Sequence, residues 1–89
     1  MSTNETTMTI QYNSSVLVDA GWRSVTIAAK ADRISKGMAQ VIEVTSIDGE
    51  APTGYTSRTG AKRQQYNARG IAMREVGARK RLSSCEIVS

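Results

Sequence analysis

The chain has 89 residues, a net charge of +4, no histidine, no phenylalanine, one tryptophan, three tyrosines and one cysteine. A chain of this length forms a single domain that buries roughly 60–65% of its unfolded surface, around a core that must here be largely aliphatic. Without histidine the common zinc sets, the Ser-His-Asp and Cys-His arrangements and the usual neutral-pH acid–base group are excluded; a lone cysteine excludes an intramolecular disulfide and favours a reducing compartment.

Met1–Thr6 is polar, offers nothing to bury and reads as a frayed tail ahead of one domain over 7–89. It has no apolar core of a signal peptide, and no run approaches the length of a membrane-spanning helix, so a cytoplasmic protein with no membrane contact is expected. Thr7–Tyr12 alternates, with Met8, Ile10 and Tyr12 on one side, as a half-buried strand does. Asn13-Ser14-Ser15 is turn chemistry before the apolar run Val16-Leu17-Val18, and Asp19-Ala20-Gly21 breaks the chain again. Residues 7–18 therefore read as a tight hairpin or as one kinked strand.

Trp22–Ile47 carries two periodicities. With period two, Val25, Ile27, Ala29 and Ala31 share a face, Ser35-Lys36-Gly37 turns, and Met38–Ile47 returns as a β-branched strand. With period 3.6, Ile27, Ala31, Ile34, Met38 and Val41 form a helical stripe with Gly37 inside it. The strand-like flanks favour the hairpin. Trp22, the one large ring available, is expected to be buried. Asp48-Gly49 signals a turn, and Glu50–Gly54 a surface loop around the only proline.

Tyr55–Arg81 holds eight of the twelve Lys and Arg residues and one acid, Glu75. Residues 1–50 carry four cations against six acids and residues 51–89 eight against two, so the halves differ in sign. A helix is expected to begin after Ser57 or Thr59 and to run toward Gly77, a candidate C′ stop. It would bury a stripe of Ala61, Tyr66, Ala68, Ala72, Met73 and Val76 and leave Arg63 and Arg74 on its outer face. Arg79–Val88 alternates as a final strand, with Cys85 as a small buried hydrophobe. The resulting fold class is α+β: a small antiparallel sheet, one main helix packed on it and a C-terminal strand.

The loop GYTSRTGAK fails as a phosphate-binding P-loop, because five residues separate Gly54 from Gly60 and Ala61 precedes Lys62. Lys62 and Arg63 in a first helical turn oppose the helix dipole, which suggests an anion nearby. No pair of acids or metal motif stands out among Asp19, Asp32, Glu43, Asp48 and Glu50; no catalysis and no cofactor are expected. The candidate contact residues are Tyr55, Arg58, Lys62, Arg63, Arg69, Arg74, Arg79, Lys80 and Arg81, with Tyr55 placed for contact and Tyr66 for the core. Clustered cations of this kind draw anionic partners.

In general character (small, single-domain, free of histidine, without a catalytic motif and strongly charged on one side) the chain resembles phage and mobile-element accessory proteins, anti-CRISPR inhibitors among them. That resemblance implies stoichiometric blockade of a host defence complex, with Arg58 through Arg81 as the contact. Two non-enzymatic readings follow: an inhibitor or modulator docking on a protein or nucleoprotein complex, and a direct, largely sequence-nonspecific DNA or RNA binder.

Overall fold

A computed structural model describes residues 7–18, 21–53 and 66–88. Three long antiparallel strands, β1 (Thr7–Val18), β2 (Gly21–Ser35) and β3 (Met38–Ile47), make up most of them. One short helix, α1 (Ala68–Glu75), precedes β4 (Arg79–Arg81), a 3-10 turn (Leu82–Ser84) and β5 (Glu86–Ile87). The strands form one sheet in the order β4-β3-β2-β1-β5, curled into a half-barrel. The molecule is mostly antiparallel β-sheet, so the expected α+β balance of a sheet with a main helix laid across it is corrected.

β1 is one unbroken strand. Its pairing with β2 runs without a slip from Thr7↔Asp32 to Val18↔Gly21, so Asn13-Ser14-Ser15 makes no turn. The alternation is strict: Ile10, Tyr12, Val16 and Val18 of β1 and Val25, Ile27, Ala29 and Ala31 of β2 are buried on the concave side. Residues 22–47 are the hairpin and not the helix, with the turn at Lys36-Gly37. β-Branched residues crowd a helical turn but pack well on a pleated surface, and VTI and VIEVTSI outweigh the few alanines.

The curl has an identifiable cause. In the β2–β3 pairing Ala31 faces Val41, Ala29 faces Val44 and Ile27 faces Ile47, with register shifts between. Each shift adds a residue on β3, so inward positions come three apart and Val41, Val44 and Ile47 all stay buried. Bulges of this kind bend the strand and increase its twist. The C-terminal segment then spans the open side. β4 pairs with β3 and β5 with β1, yet only Leu82–Cys85 joins them. Four strand spacings in a flat sheet would separate β4 from β5 by about 19 Å, and roughly another 23 Å of stagger lies along the strands, because Arg81 is level with Ser35 of β2 and Glu86 with Ala28. Five Cα steps reach about 18 Å at full extension, and the 3-10 turn shortens them. Only a curled sheet closes that gap, so the single final strand expected over Arg79–Val88 is broken in the middle. Within the break the Leu82 amide donates to the Gly37 carbonyl at 2.9 Å, and Leu82 and Cys85 pack against the core.

The helix is short because its caps lie close together. Asn67, in extended conformation, accepts from the Gly70 amide at 3.1 Å through its side chain, which fixes the N-terminus. Gly77 adopts φ +92°, which an L-residue with a side chain rarely takes, and stops the helix at the other end. The Gly77 amide donates to Val41 and the Val41 amide to Ala78, both at 2.8 Å, and this leads the chain from the helix onto the β3 edge. The start expected at Ser57 or Thr59, and the tail Met1–Thr6, lie outside the described residues. α1 buries Ala68, Ile71 and Glu75; Met73 and Val76, expected on the buried stripe, are exposed. Trp22 is exposed as well, at 74%. It holds an even position on β2, where the odd positions face inward, so strand parity overrides the preference of a large ring for the core.

Candidate anion-binding surface

Two polar clusters tie the helix region to the sheet and determine which cations reach the surface. The first centres on Glu75, only 6% exposed. The Tyr12 hydroxyl donates to Glu75 Oε1 at 2.7 Å, Lys80 Nζ lies 3.4 Å from the same oxygen, and Arg74 Nη2 stands 3.5 Å from Oε2. Lys80 Nζ also sits 4.4 Å above the Tyr12 ring. A buried carboxylate needs such partners, since taking an unpaired charge out of water costs several kcal/mol. Burial raises the Tyr12 pKa first, and donation to the Glu75 carboxylate second. Burial also pushes the Cys85 thiol up, which keeps it protonated and unreactive.

The second cluster centres on Asp48, in the turn after β3. Asp48 and Gly49 both have positive φ, and Ile47 and Glu50 exchange backbone hydrogen bonds of 2.9 and 3.1 Å across them. This is the tight two-residue turn that Asp-Gly favours. Asp48 Oδ2 accepts from the Tyr66 hydroxyl at 3.0 Å and pairs with Arg23 at 3.1 Å, while Oδ1 accepts from the Thr26 amide at 2.9 Å. Arg23 lies 5.2 Å from the Tyr66 ring centroid. Burial, followed by the bond to Asp48, pushes the Tyr66 hydroxyl up to about 12. Tyr66 is core, as its sequence position suggested.

Of the nine candidate contact residues, Tyr55, Arg58, Lys62 and Arg63 lie outside the described residues. Arg69 and Arg74 are exposed on α1, where they flank the exposed Met73. Arg79 and Arg81 are exposed on β4, opposite Gln40 and Met38. Lys80 departs from the expectation. Alternation along β4 turns it inward to Tyr12 and Glu75, so it anchors the strand instead of offering a contact.

The described part of the cluster therefore divides into four exposed arginines and one half-buried, inward-turned lysine. Its single acid is withdrawn into the core, where it pairs with Lys80 and makes only a long, 3.5 Å contact to one outer arginine, Arg74. The sequence signal for that role was Glu75's isolation: one acid among eight cations has a specific reason to be there. Arg33 and Lys36, left out of the candidate set, stand at the β2–β3 turn beside β4, with the Arg33 guanidinium donating to the Lys36 carbonyl at 2.8 Å. Among the described residues no group of His, Cys, Asp or Glu could hold a metal ion, and no helix is long and apolar enough to cross a membrane. No protein-family model, no curated protein and no solved structure matches the chain.

Proposed function

We propose that the protein is a non-enzymatic, stoichiometric inhibitor or modulator that docks on a nucleoprotein complex in the cytoplasm through the cationic α1–β4 surface. One observation carries the reading: Arg69, Arg74, Arg79 and Arg81 are exposed along one short stretch of chain while its only acid is buried. Cations on a short edge strand also guard against unwanted strand pairing. Edge protection does not call for Arg69 and Arg74 on the helix, and like-charge repulsion among the four is a cost that an anionic partner would offset. The kind of partner follows from the resemblance to anti-CRISPR inhibitors: a host defence complex holding nucleic acid or exposing carboxylates.

Direct binding to DNA or RNA is the alternative, and the burial of Tyr12 and Tyr66 gives it a definite form. Neither phenol is free to stack on bases, so contact through the arginine surface would be with phosphates and nearly independent of sequence.

The deciding experiment measures binding of random-sequence DNA and RNA across a salt series, with the wild type, Arg79→Glu/Arg81→Glu and Lys30→Glu. Direct phosphate binding by up to four arginines gives a log–log salt slope of about −3 to −4. Docking on a complex gives weak binding to bare nucleic acid and stoichiometric capture of a nuclease-treated host complex. In either case Arg79→Glu/Arg81→Glu should lose at least tenfold, about 1.4 kcal/mol, and Lys30→Glu less than twofold. Equal affinity of both variants for whatever is bound refutes the cationic surface as the contact.

A further inference from the structure

The convex face of the β1–β2 ribbon carries no charge over a long stretch. Cross-strand pairs share a face, and from one end to the other they are Gln11↔Ala28, Asn13↔Thr26, Ser15↔Ser24 and Leu17↔Trp22. Charge returns only at the next pair, Thr9↔Lys30. At one end of the strip Leu17 and Trp22 are exposed at 67% and 74%. At the other a cavity of about 280 Å³ is lined by Gln11, Tyr12, Asn13, Thr26, Ser84 and Glu86. Glu86 faces Gln11 across the β1–β5 pairing and makes no ion pair among the described residues. The Thr26 hydroxyl donates to Asn13 Oδ1 at 3.1 Å, which leaves the Asn13 amino group and the oxygen lone pairs of Thr26 for a ligand.

We propose that this strip binds a neutral oligosaccharide, with Asn13, Gln11, Ser84 and Glu86 holding hydroxyl groups in the cavity and Trp22 supporting a sugar ring at the far end. Three features select that ligand class. Amides, hydroxyls and a carboxylate, with no cation among the lining residues, match neighbouring sugar hydroxyls, each both donor and acceptor, and disfavour phosphate or carboxylate ligands. An exposed indole offers a negative π face to the weakly positive C–H face of a pyranose, and a pocket of this kind needs only a few well-placed polar groups. The dimensions also favour a linear ligand. Seven residues along two strands make a strip about 22 Å long and 10 Å wide, roughly 200 Å². A stable protein interface takes about 800 Å² per partner, so neither a second copy nor another protein is held by this strip alone.

Trp22 is the only tryptophan and reports on its own site. The full chain is titrated with cellohexaose, maltohexaose and chitohexaose while its fluorescence is followed, at low and high salt. At least one should give a saturable blue shift or quench with the same affinity at both salt levels. Measured by calorimetry, Trp22→Ala should weaken that binding at least tenfold, and Asn13→Ala or Glu86→Gln severalfold. The same three variants should leave salt-dependent binding at the arginine surface unchanged. No saturable change with any of the three sugars at millimolar concentration would overturn the proposal. So would binding indifferent to Trp22→Ala and Asn13→Ala, or a blue shift produced by raising protein concentration alone, which would assign the strip to a second copy of the chain.

Discussion

Tyr12→Phe isolates the contact that fixes α1. The substitution keeps the ring, and with it the Lys80 contact 4.4 Å above it, and removes only the hydroxyl that donates to Glu75 Oε1 at 2.7 Å. A buried hydrogen bond to a charged acceptor contributes about 1.5–3 kcal/mol. Arg74 adds little to Glu75, because its side chain is 55% exposed and 3.5 Å away, so Lys80 alone cannot replace the lost donor. A helix of eight residues is too short to hold itself, so the loss should appear in global stability. At about 4–8 °C per kcal/mol for a domain of this size, the melting temperature should fall by on the order of 10 °C. Urea unfolding of the wild type, Tyr12→Phe, Glu75→Gln and the double variant closes a double-mutant cycle. The coupling between the two positions should exceed about 0.5 kcal/mol, the limit within which independent sites add. Tyr12→Phe within about 0.5 kcal/mol of the wild type would show that the buried carboxylate does not depend on the phenol, and the account of how the helix is anchored would fail.

The two buried phenols make stability sensitive to alkali. Both folded-state pKa values are raised above the ordinary 10.0, Tyr66 to about 12, so their contribution is whole below pH 10 and is lost as pH rises through 10 toward 12. Each phenol should cost up to about 1.4 kcal/mol per pH unit, and phenolate absorbance from both should rise only as the protein unfolds. Trp22 should emit as an exposed tryptophan in the free native protein, and Trp22→Ala should change stability by less than about 0.5 kcal/mol, as exposed substitutions do; emission typical of a buried indole would contradict the strand parity. Gly77→Ala places a side chain at φ +92° and should cost about 1 kcal/mol or more in thermal unfolding. Cys85 should react more slowly with a thiol reagent in the native state than in urea, since its thiol is part-buried and its pKa raised.

What the sequence reveals here depends on the range of the interaction concerned. Strand parity was legible: Val25, Ile27, Ala29 and Ala31 were placed on one face and are buried together. The Asp48-Gly49 turn and the Gly77 stop were legible because each rests on a local backbone requirement. Trp22 was misplaced because an argument from ring size was allowed to outrank the alternation that also covers position 22. The helix was overextended because Asn67 is a modest signal inside an otherwise helix-compatible run, and only its bond to the Gly70 amide shows it to be a cap. The bulges on β3 leave no mark in the sequence, since Val41, Val44 and Ile47 at intervals of three read as helix or as noise until β2 is set beside them. The bridging of the two sheet edges by residues 82–85 was hidden for the same reason: it depends on contacts between segments far apart in sequence.

The arrangement of the cationic surface follows from these long-range contacts. Arg79-Lys80-Arg81 reads as one basic triplet, yet in a strand its outer members point one way and its middle member the other. The middle member meets the buried Glu75 and the Tyr12 ring, which accept a cation there; a neutral residue at position 80 would leave the carboxylate with the phenol and a weak contact to Arg74. That inward anchor settles the register of β4 against β3, and a slip of one residue would bury two guanidiniums and expose the lysine. Under the proposed function, Lys80 would therefore bear on binding without touching the partner, by holding Arg79 and Arg81 outward. Lys80→Met keeps most of the stem packing on Tyr12 while removing the charge. Affinity for the anionic partner should fall together with stability in Lys80→Met, whereas in Arg79→Glu/Arg81→Glu affinity should fall while the melting temperature holds. Separate loss in the two variants would distinguish the residue that positions the surface from those that form it. If Lys80→Met keeps its stability and loses affinity alone, Lys80 is itself a contact and the inward orientation is wrong.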